Sequence, residues 1–176
     1  MPDNDNLELG PVIAYLEEDG SDVDVGYIGT ATINFSSEIG PLTASRRGTS
    51  PIGKIVTGSG IQVVIEFKEL TFDNFARVYP GAVVTGDGGR VDFINRVGLN
   101  LRDLAKQLTL KKIVGGVESV LAKDWFIVPE ASPSPEGISL VYSADPGSQR
   151  ILSATFDCWP NDTTGRMAYF GDELAS

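Results

Sequence analysis

Histidine is absent from the 176 residues and cysteine occurs once, as Cys158. Without histidine, neither a Ser-His-Asp nor a Cys-His arrangement can activate a nucleophile, and the commonest metal ligand is missing. A lone cysteine excludes an internal disulfide and a multi-cysteine zinc site. Bases are scarce too, with 14 Lys and Arg against 24 Asp and Glu and a formal charge of −10. That balance argues against wrapping nucleic acid, which requires cations to displace the counterions condensed on phosphates. No apolar run approaches the roughly 20 residues of a membrane span, so no membrane anchor is expected. The opening MPDNDNLELG has neither the basic nor the apolar part of a signal peptide, which implies synthesis in a cytoplasm.

What is plentiful is turn chemistry. Twenty Gly and ten Pro among 41% hydrophobic residues describe a globular chain with many reversals, and the length suits one domain spanning 1–176. Charge is unevenly placed. Residues 1 to 26 carry acids only, among them Glu17, Glu18, Asp19, Asp22 and Asp24, and residues 1 to 8 are expected to be a flexible acidic N-terminus. The following stretch holds Arg46, Arg47 and Lys54 against Glu38.

Alternation of period two dominates the patterning. Ile61, Val63, Ile65 and Phe67 share one face of an expected strand over 61 to 68, with Gln62, Val64, Glu66 and Lys68 on the other. Residues 27 to 35 alternate likewise, Tyr27, Gly29, Ala31, Ile33 and Phe35 against Ile28, Thr30, Thr32 and Asn34. With PVIAYLE before the acidic turn, they suggest a hairpin over 11 to 35. A second hairpin is expected where Ile138, Leu140 and Tyr142 precede the turn Ala144 to Ser148, and Leu152, Ala154, Phe156 and Cys158 follow it. Short strands are expected at 124 to 128 and 166 to 170, with Pro129, Pro133 and Pro135 as breaks. Helical spacing occurs at Phe72, Phe75, Ala76 and Tyr79 after the cap candidate Thr71, and at Leu101, Leu104, Ala105 and Leu108 after Asn100.

Residues 36 to 60 have no strong periodicity and are rich in Ser, Thr and Gly. A segment of that length between two patterned strands is either a long functional loop or a polar hairpin that pairs outside its own fold.

Catalytic and ligand motifs are missing. The acids lie in turns, and the segments at Asp3 to Asn6 and Asp19 to Asp24 lack the glycine and bidentate glutamate of a calcium loop. Gly86-Asp87-Gly88-Gly89-Arg90 has no P-loop lysine and reads as a turn between strands. Cys158 and the two tryptophans, Trp125 and Trp159, alternate with apolar residues and read as core. No catalytic residue, metal or cofactor is expected, and the fold class is all-β with one or two short helices.

In order, the segments resemble the major tail tube proteins of long-tailed bacteriophages. Thr49-Ser50-Pro51-Ile52-Gly53 resembles a "TPIG" stretch and is followed by IQVVIEFKEL and TFDNFARVYP. Gly98, Leu101, Ala105, Leu108 and Leu110 are similar to a second family stretch, and DWFIVPEASPSPEGISLVYSADPGSQRILSATFDCWPND to its ending, before Phe170-Gly171-Asp172. Asn161 stands between Pro160 and Asp162 where the family pattern has none.

The resemblance implies a β-sandwich or barrel flanked by a helix, closing as a homo-oligomer of six copies into rings that stack into a tube of the virion tail. DNA would pass through without specific binding, and tape measure and tail-terminator or tail-tip proteins would be partners. On that reading residues 36 to 60, with Arg46, Arg47, Pro51, Ile52, Gly53 and Lys54, form an inter-subunit loop that meets the acidic Glu17 to Asp24 of a neighbour. Thr30, Thr32, Asn34, Gln62 and Glu66 would face the lumen as a wall without basic clusters. The alternatives are a tube subunit of a contractile tail or injection apparatus, and a monomeric carbohydrate-binding β-sandwich using Trp125 or Trp159 as a platform.

Overall fold

The computed structural model describes residues 11–26, 28–43, 51–86, 89–141 and 151–171. Arg46, Arg47, Tyr27, Tyr142, the 144 to 148 turn and the first eight residues lie outside them.

The strands are β1 (Val12–Glu18), β2 (Ser21–Asp24), β3 (Ile28–Thr43), β4 (Pro51–Phe67), β5 (Ala82–Thr85), β6 (Arg90–Phe93), β7 (Lys106–Val114), β8 (Val117–Glu118), β9 (Trp125–Val141), β10 (Ile151–Cys158) and β11 (Tyr169–Phe170), with one helix, α1 (Phe72–Val78). All the pairings are antiparallel. Nine strands form one sheet along β2-β1-β7-β9-β10-β4-β3, with β8 on β7 and β11 on β9, while β5 and β6 make a separate hairpin. The sheet curls until β1 touches β3. It thereby encloses one core of Ala14 and Leu16, Val63, Ile65 and Phe67, Leu108 and Leu110, Phe126 and Val128, and Leu152, Ala154 and Phe156. The all-β expectation is met, in the curled, barrel-like form.

The C-terminal hairpin is β9 with β10, Leu140 facing Leu152 and Ala131 facing Cys158. Strand 61 to 68 buries Val63, Ile65 and Phe67 as its alternation predicts, and Gly86 to Arg90 joins β5 to β6. The helix forms where expected, Thr71 accepting from the Asn74 amide. Its inward face differs, however. Asn74 and Val78 are buried while Phe72 is exposed, because Asn74 donates to the carbonyls of Val25 (2.9 Å) and Glu69 (3.0 Å) and turns the helix about that anchor.

Four other expectations are corrected. The 11 to 35 hairpin does not form: a tight turn with Asp19 at φ 52° and Gly20 at φ 79° returns β1 onto the short β2, and β3 pairs with β4 instead. Positive φ at both central residues suits the twist of a two-residue hairpin. Ile28 joins Ala31 and Ile33 against the core, because a bulge between Ile28 and Ala31 inserts one extra residue and flips the face. Pro129, Pro133 and Pro135 do not break the chain but run inside the single strand β9. Pro129 falls where the β7 register shifts, Pro135 where the β10 register shifts, and Pro133 lies beyond the last β7 partner, Ala131, so their missing amide hydrogens are tolerated. Finally, the second helical spacing yields only a 3-10 turn over Leu101–Leu104 capped by Asn100, and Leu108 belongs to β7.

Candidate assembly interface

Of the two readings of residues 36 to 60, the structure builds the hairpin. Strands β3 and β4 stay paired from Ile28 opposite Phe67 out to Thr43 opposite Pro51. Strand β10, which covers the other edge of β4, stops at Cys158 opposite Ile61. Beyond Ile61 the two strands therefore continue as a two-stranded arm. Among the described residues, no strand pairs with β4 from Ile52 to Gly60 on the side away from β3, and β3 is itself the last strand of the sheet. Both margins carry unpaired backbone donors and acceptors, and a free two-stranded ribbon has only marginal stability in water.

The arm carries the core stripe out with it. The inward ladder runs Ala31–Ile65, Ile33–Val63 and Phe35–Ile61, and after a bulge at Thr57 reaches Ile39–Val56. Exposure is 0% at Val63 and Ile65, then 67% at Phe35, 62% at Ile39 and 68% at Val56. Ile52, Ile55 and Leu42 add further exposed apolar groups. The opposite face is polar as far as Glu38, with Thr32, Asn34, Ser36 and Glu38 along β3, and farther out carries Leu42 and Ile55.

The expected site residues divide into three groups. Pro51, Ile52, Gly53 and Lys54 form the outer arm, Gly53 facing Leu42 and Lys54 facing Pro41. Thr32, Asn34, Gln62 and Glu66 do share one outward face, while Thr30 sits in the bulge between Ile28 and Ala31. The acids Glu17, Glu18, Asp19, Asp22 and Asp24 gather on the β1–β2 hairpin, Glu17 facing Asp22. Two of them are engaged internally. Asp24 accepts from the Gly26 amide at 2.8 Å. Glu18 takes Arg77 through two bonds of 2.9 and 3.2 Å and lies 3.7 Å from Lys106, so these cations hold its carboxyl below the usual range.

Register also fixes how far the charges lie apart. Glu18 is beside Lys106, which is level with Ala131, Cys158 and Ile61, the root of the arm. Lys54 lies toward the arm's far end, roughly 20 Å away along the strands. A basic-to-acidic contact between copies thus requires a shift along the strand direction.

Sequence reasoning missed Ser153, Thr155 and Asp157, which align with Glu66, Val64 and Gln62 and extend the polar face onto β10. The Gln62 amide donates to Asp157 at 2.8 Å. The outward positions between Leu152, Ala154, Phe156 and Cys158 were the available signal. The Cys158 thiol is buried and pushed up to about 12 by desolvation and then by Asp157, which makes it an unreactive core group.

Neither tryptophan presents an open platform. The Trp159 ring nitrogen donates to Ser132 Oγ at 2.8 Å and that of Trp125 to the Ser119 carbonyl at 2.7 Å, both rings being half-buried. A cleft of about 310 Å³ lies between α1 and the 3-10 turn, lined by Arg77, Arg96, Lys106, Leu99, Leu104 and Phe156. Arg77 is already occupied by Glu18 and the side-chain Oδ1 of Asn74. Nearby, Arg102 binds Glu130 (3.1 Å), Asp162 (2.6 Å) and the Pro160 carbonyl (3.0 Å), tying the loop after β10 to the 3-10 turn. Among the described residues, no group of three or more His, Cys, Asp or Glu could hold a metal ion, and no helix is long and apolar enough to cross a membrane.

No protein-family model and no curated protein matches the chain. Among solved structures, it is similar to a chain of the cryo-EM structure of the anti-feeding prophage (AFP) baseplate, 6-fold symmetrised, at 9% identity and a TM-score of 0.40, over 94% of this chain and 91% of that one.

Proposed function

We propose that the chain is a non-enzymatic structural subunit of a phage-tail-like assembly, joining copies of itself through the β3–β4 arm. The observation that carries this is the arm itself: a ribbon with both margins open and a core-type stripe exposed at Phe35, Ile39 and Val56. A lone ribbon of this kind is an aggregation hazard unless a partner supplies strands and apolar cover. Identical neighbours arranged in a closed ring supply both and leave no free edge.

In the fuller form of the proposal, six copies close a ring and rings stack into the tube of a virion tail. Thr32, Asn34, Gln62 and Glu66, with Ser153, Thr155 and Asp157, line a lumen through which DNA passes, since a wall without clustered cations does not hold phosphates. Lys54 of the outer arm, with the sequence neighbours Arg46 and Arg47, meets the acidic β1–β2 hairpin of a copy displaced along the strands, which makes that contact one between rings. The sequence layout favours a long non-contractile tail, and the same arm serves the tube of a contractile or injection apparatus.

Electron microscopy and light scattering of the concentrated protein test the reading. The wild-type chain is expected to form rings or tubes, and Ile39→Ser with Val56→Ser to remain a folded monomer. A wild-type chain that stays monomeric at every concentration would sink it.

A further inference from the structure

The arm needs an acceptor, and a second apolar surface lies at the same end of the molecule. The turn joining β7 to β8 is Val114-Gly115-Gly116-Val117, its glycines at φ 63° and 84°, where a side chain would be strained. Val117 is 67% and Val120 84% exposed, and Val114, Leu121 and Phe170 are exposed beside them. A solvated hairpin tip is ordinarily polar. Here the polar groups lie beneath it. The Lys111 ammonium sits 4.3 Å from the centre of the Tyr15 ring and 4.7 Å from that of Trp125. The Tyr15 hydroxyl donates to Glu118 at 2.6 Å, the Ser119 hydroxyl to Asp124 at 2.5 Å, and the Ser119 amide to the Lys112 carbonyl at 2.8 Å. The tip is held from below and presents aliphatic groups outward, a preorganised surface that binds with little ordering cost.

We propose that this tip, with Val120, Leu121 and Phe170, is the surface on which the β3–β4 arm of a second copy of this chain lies. The inference rests on the self-assembly reading above and names the acceptor.

Position supports it. From the common level of Ile61, Cys158, Ala131 and Lys106, β4 runs back to Pro51 and β7 runs forward to Val114, toward the same end of the sheet. Within one chain β9, with β11 on its edge, stands between them. A copy related by rotation about an axis parallel to the strands, with no shift along them, places its arm at the height of this tip. That is lateral closure within a ring, separate from the shifted contact between rings.

The test uses the full chain. Val117→Asp with Val120→Asp alters exposed residues, so the monomer's circular dichroism and melting curve are expected to stay as in the wild type, while the concentration needed for assembly rises at least tenfold. Separately prepared Ile39→Cys and Val120→Cys chains, mixed and oxidised, are expected to form disulfide-linked mixed dimers, the native Cys158 being buried. Normal assembly of the double aspartate variant, or cross-links only between Ile39→Cys chains, would overturn this acceptor and leave self-assembly standing. A monomeric wild-type chain would remove both.

Discussion

The two halves of the β3–β4 pair share one ladder and differ in everything around it. The inner half, Ile28 to Ile33 against Val63 to Phe67, is flanked by β10 and covered by the core. The outer half has neither, yet keeps the stripe at Ile39 and Val56 and dilutes it with Ser36, Ser37, Gly40, Gly53, Gly58, Ser59 and Gly60. Glycine and serine lower intrinsic strand stability. Alternating apolar residues in the inner half therefore build the monomer, and the same residue types in the outer half are available to build a contact. Mutations at matched positions should separate these roles.

The largest separation is between Phe67 and Phe35. Phe67 is fully buried, and Phe67→Ala should destabilise the monomer by about 3–5 kcal/mol in urea unfolding. Phe35→Ala should stay within about 0.5 kcal/mol in the same experiment while weakening assembly. Equal losses at the two positions would mean that the arm root is covered within its own chain.

The next effect lies at the seam between α1 and the sheet. Asn74 is 2% exposed, bonds two carbonyls and accepts from Arg77 at 2.8 Å, and Arg77 in turn holds Glu18. Asn74→Ala strips all three groups of their partner and should cost about 2–3 kcal/mol. Glu18→Gln, which leaves shape but removes charge, should cost about 1–2 kcal/mol at neutral pH. The carboxyl titrates lower in the folded state than its ordinary 4.5. Its contribution is therefore full above that value and lost as pH falls through the folded one. The wild type and Glu18→Gln should accordingly converge in stability at acid pH, and a difference that persists there would show that the ion pair is not the cause.

How much of this was legible follows from what periodicity encodes. It identified the faces of β4 and β10 because both are regular and one-sided, and Thr71 marked α1 through its hydroxyl. It failed where one residue changes the parity, as at the bulge before Ala31, and where turn geometry chooses the partner, as at Asp19-Gly20. The prolines of β9 misled because their tolerance depends on which neighbour is missing, a property of the sheet. The arm read as loop or hairpin because Ser and Gly blur its alternation. The proposed acceptor was not legible because Val114 to Leu121 show no clear alternation, and only their exposure among the described residues singles them out.

The smallest effect contrasts the supported tip with the unsupported arm. Hydrogen bonding to Glu118, then partial burial, then the charge of Glu118 push the Tyr15 hydroxyl up from its ordinary 10.0 to about 12. Because the folded value lies above the unfolded one, the bond's contribution is complete below about pH 10 and fades as pH rises through 12. In a phenolate-absorbance titration, one of the five tyrosines should ionise late, and Tyr15→Phe or Glu118→Gln should each abolish that late step. Tyr15→Phe should cost the monomer only about 0.5–1.5 kcal/mol, since one hydrogen bond is lost and the ring still shields Lys111. The same variant should weaken assembly more than stability, because a tip free to move must be ordered again on contact. Ionisation of all five tyrosines together would mean that the tip is as unsupported as the arm, and its choice as acceptor would lose its physical basis.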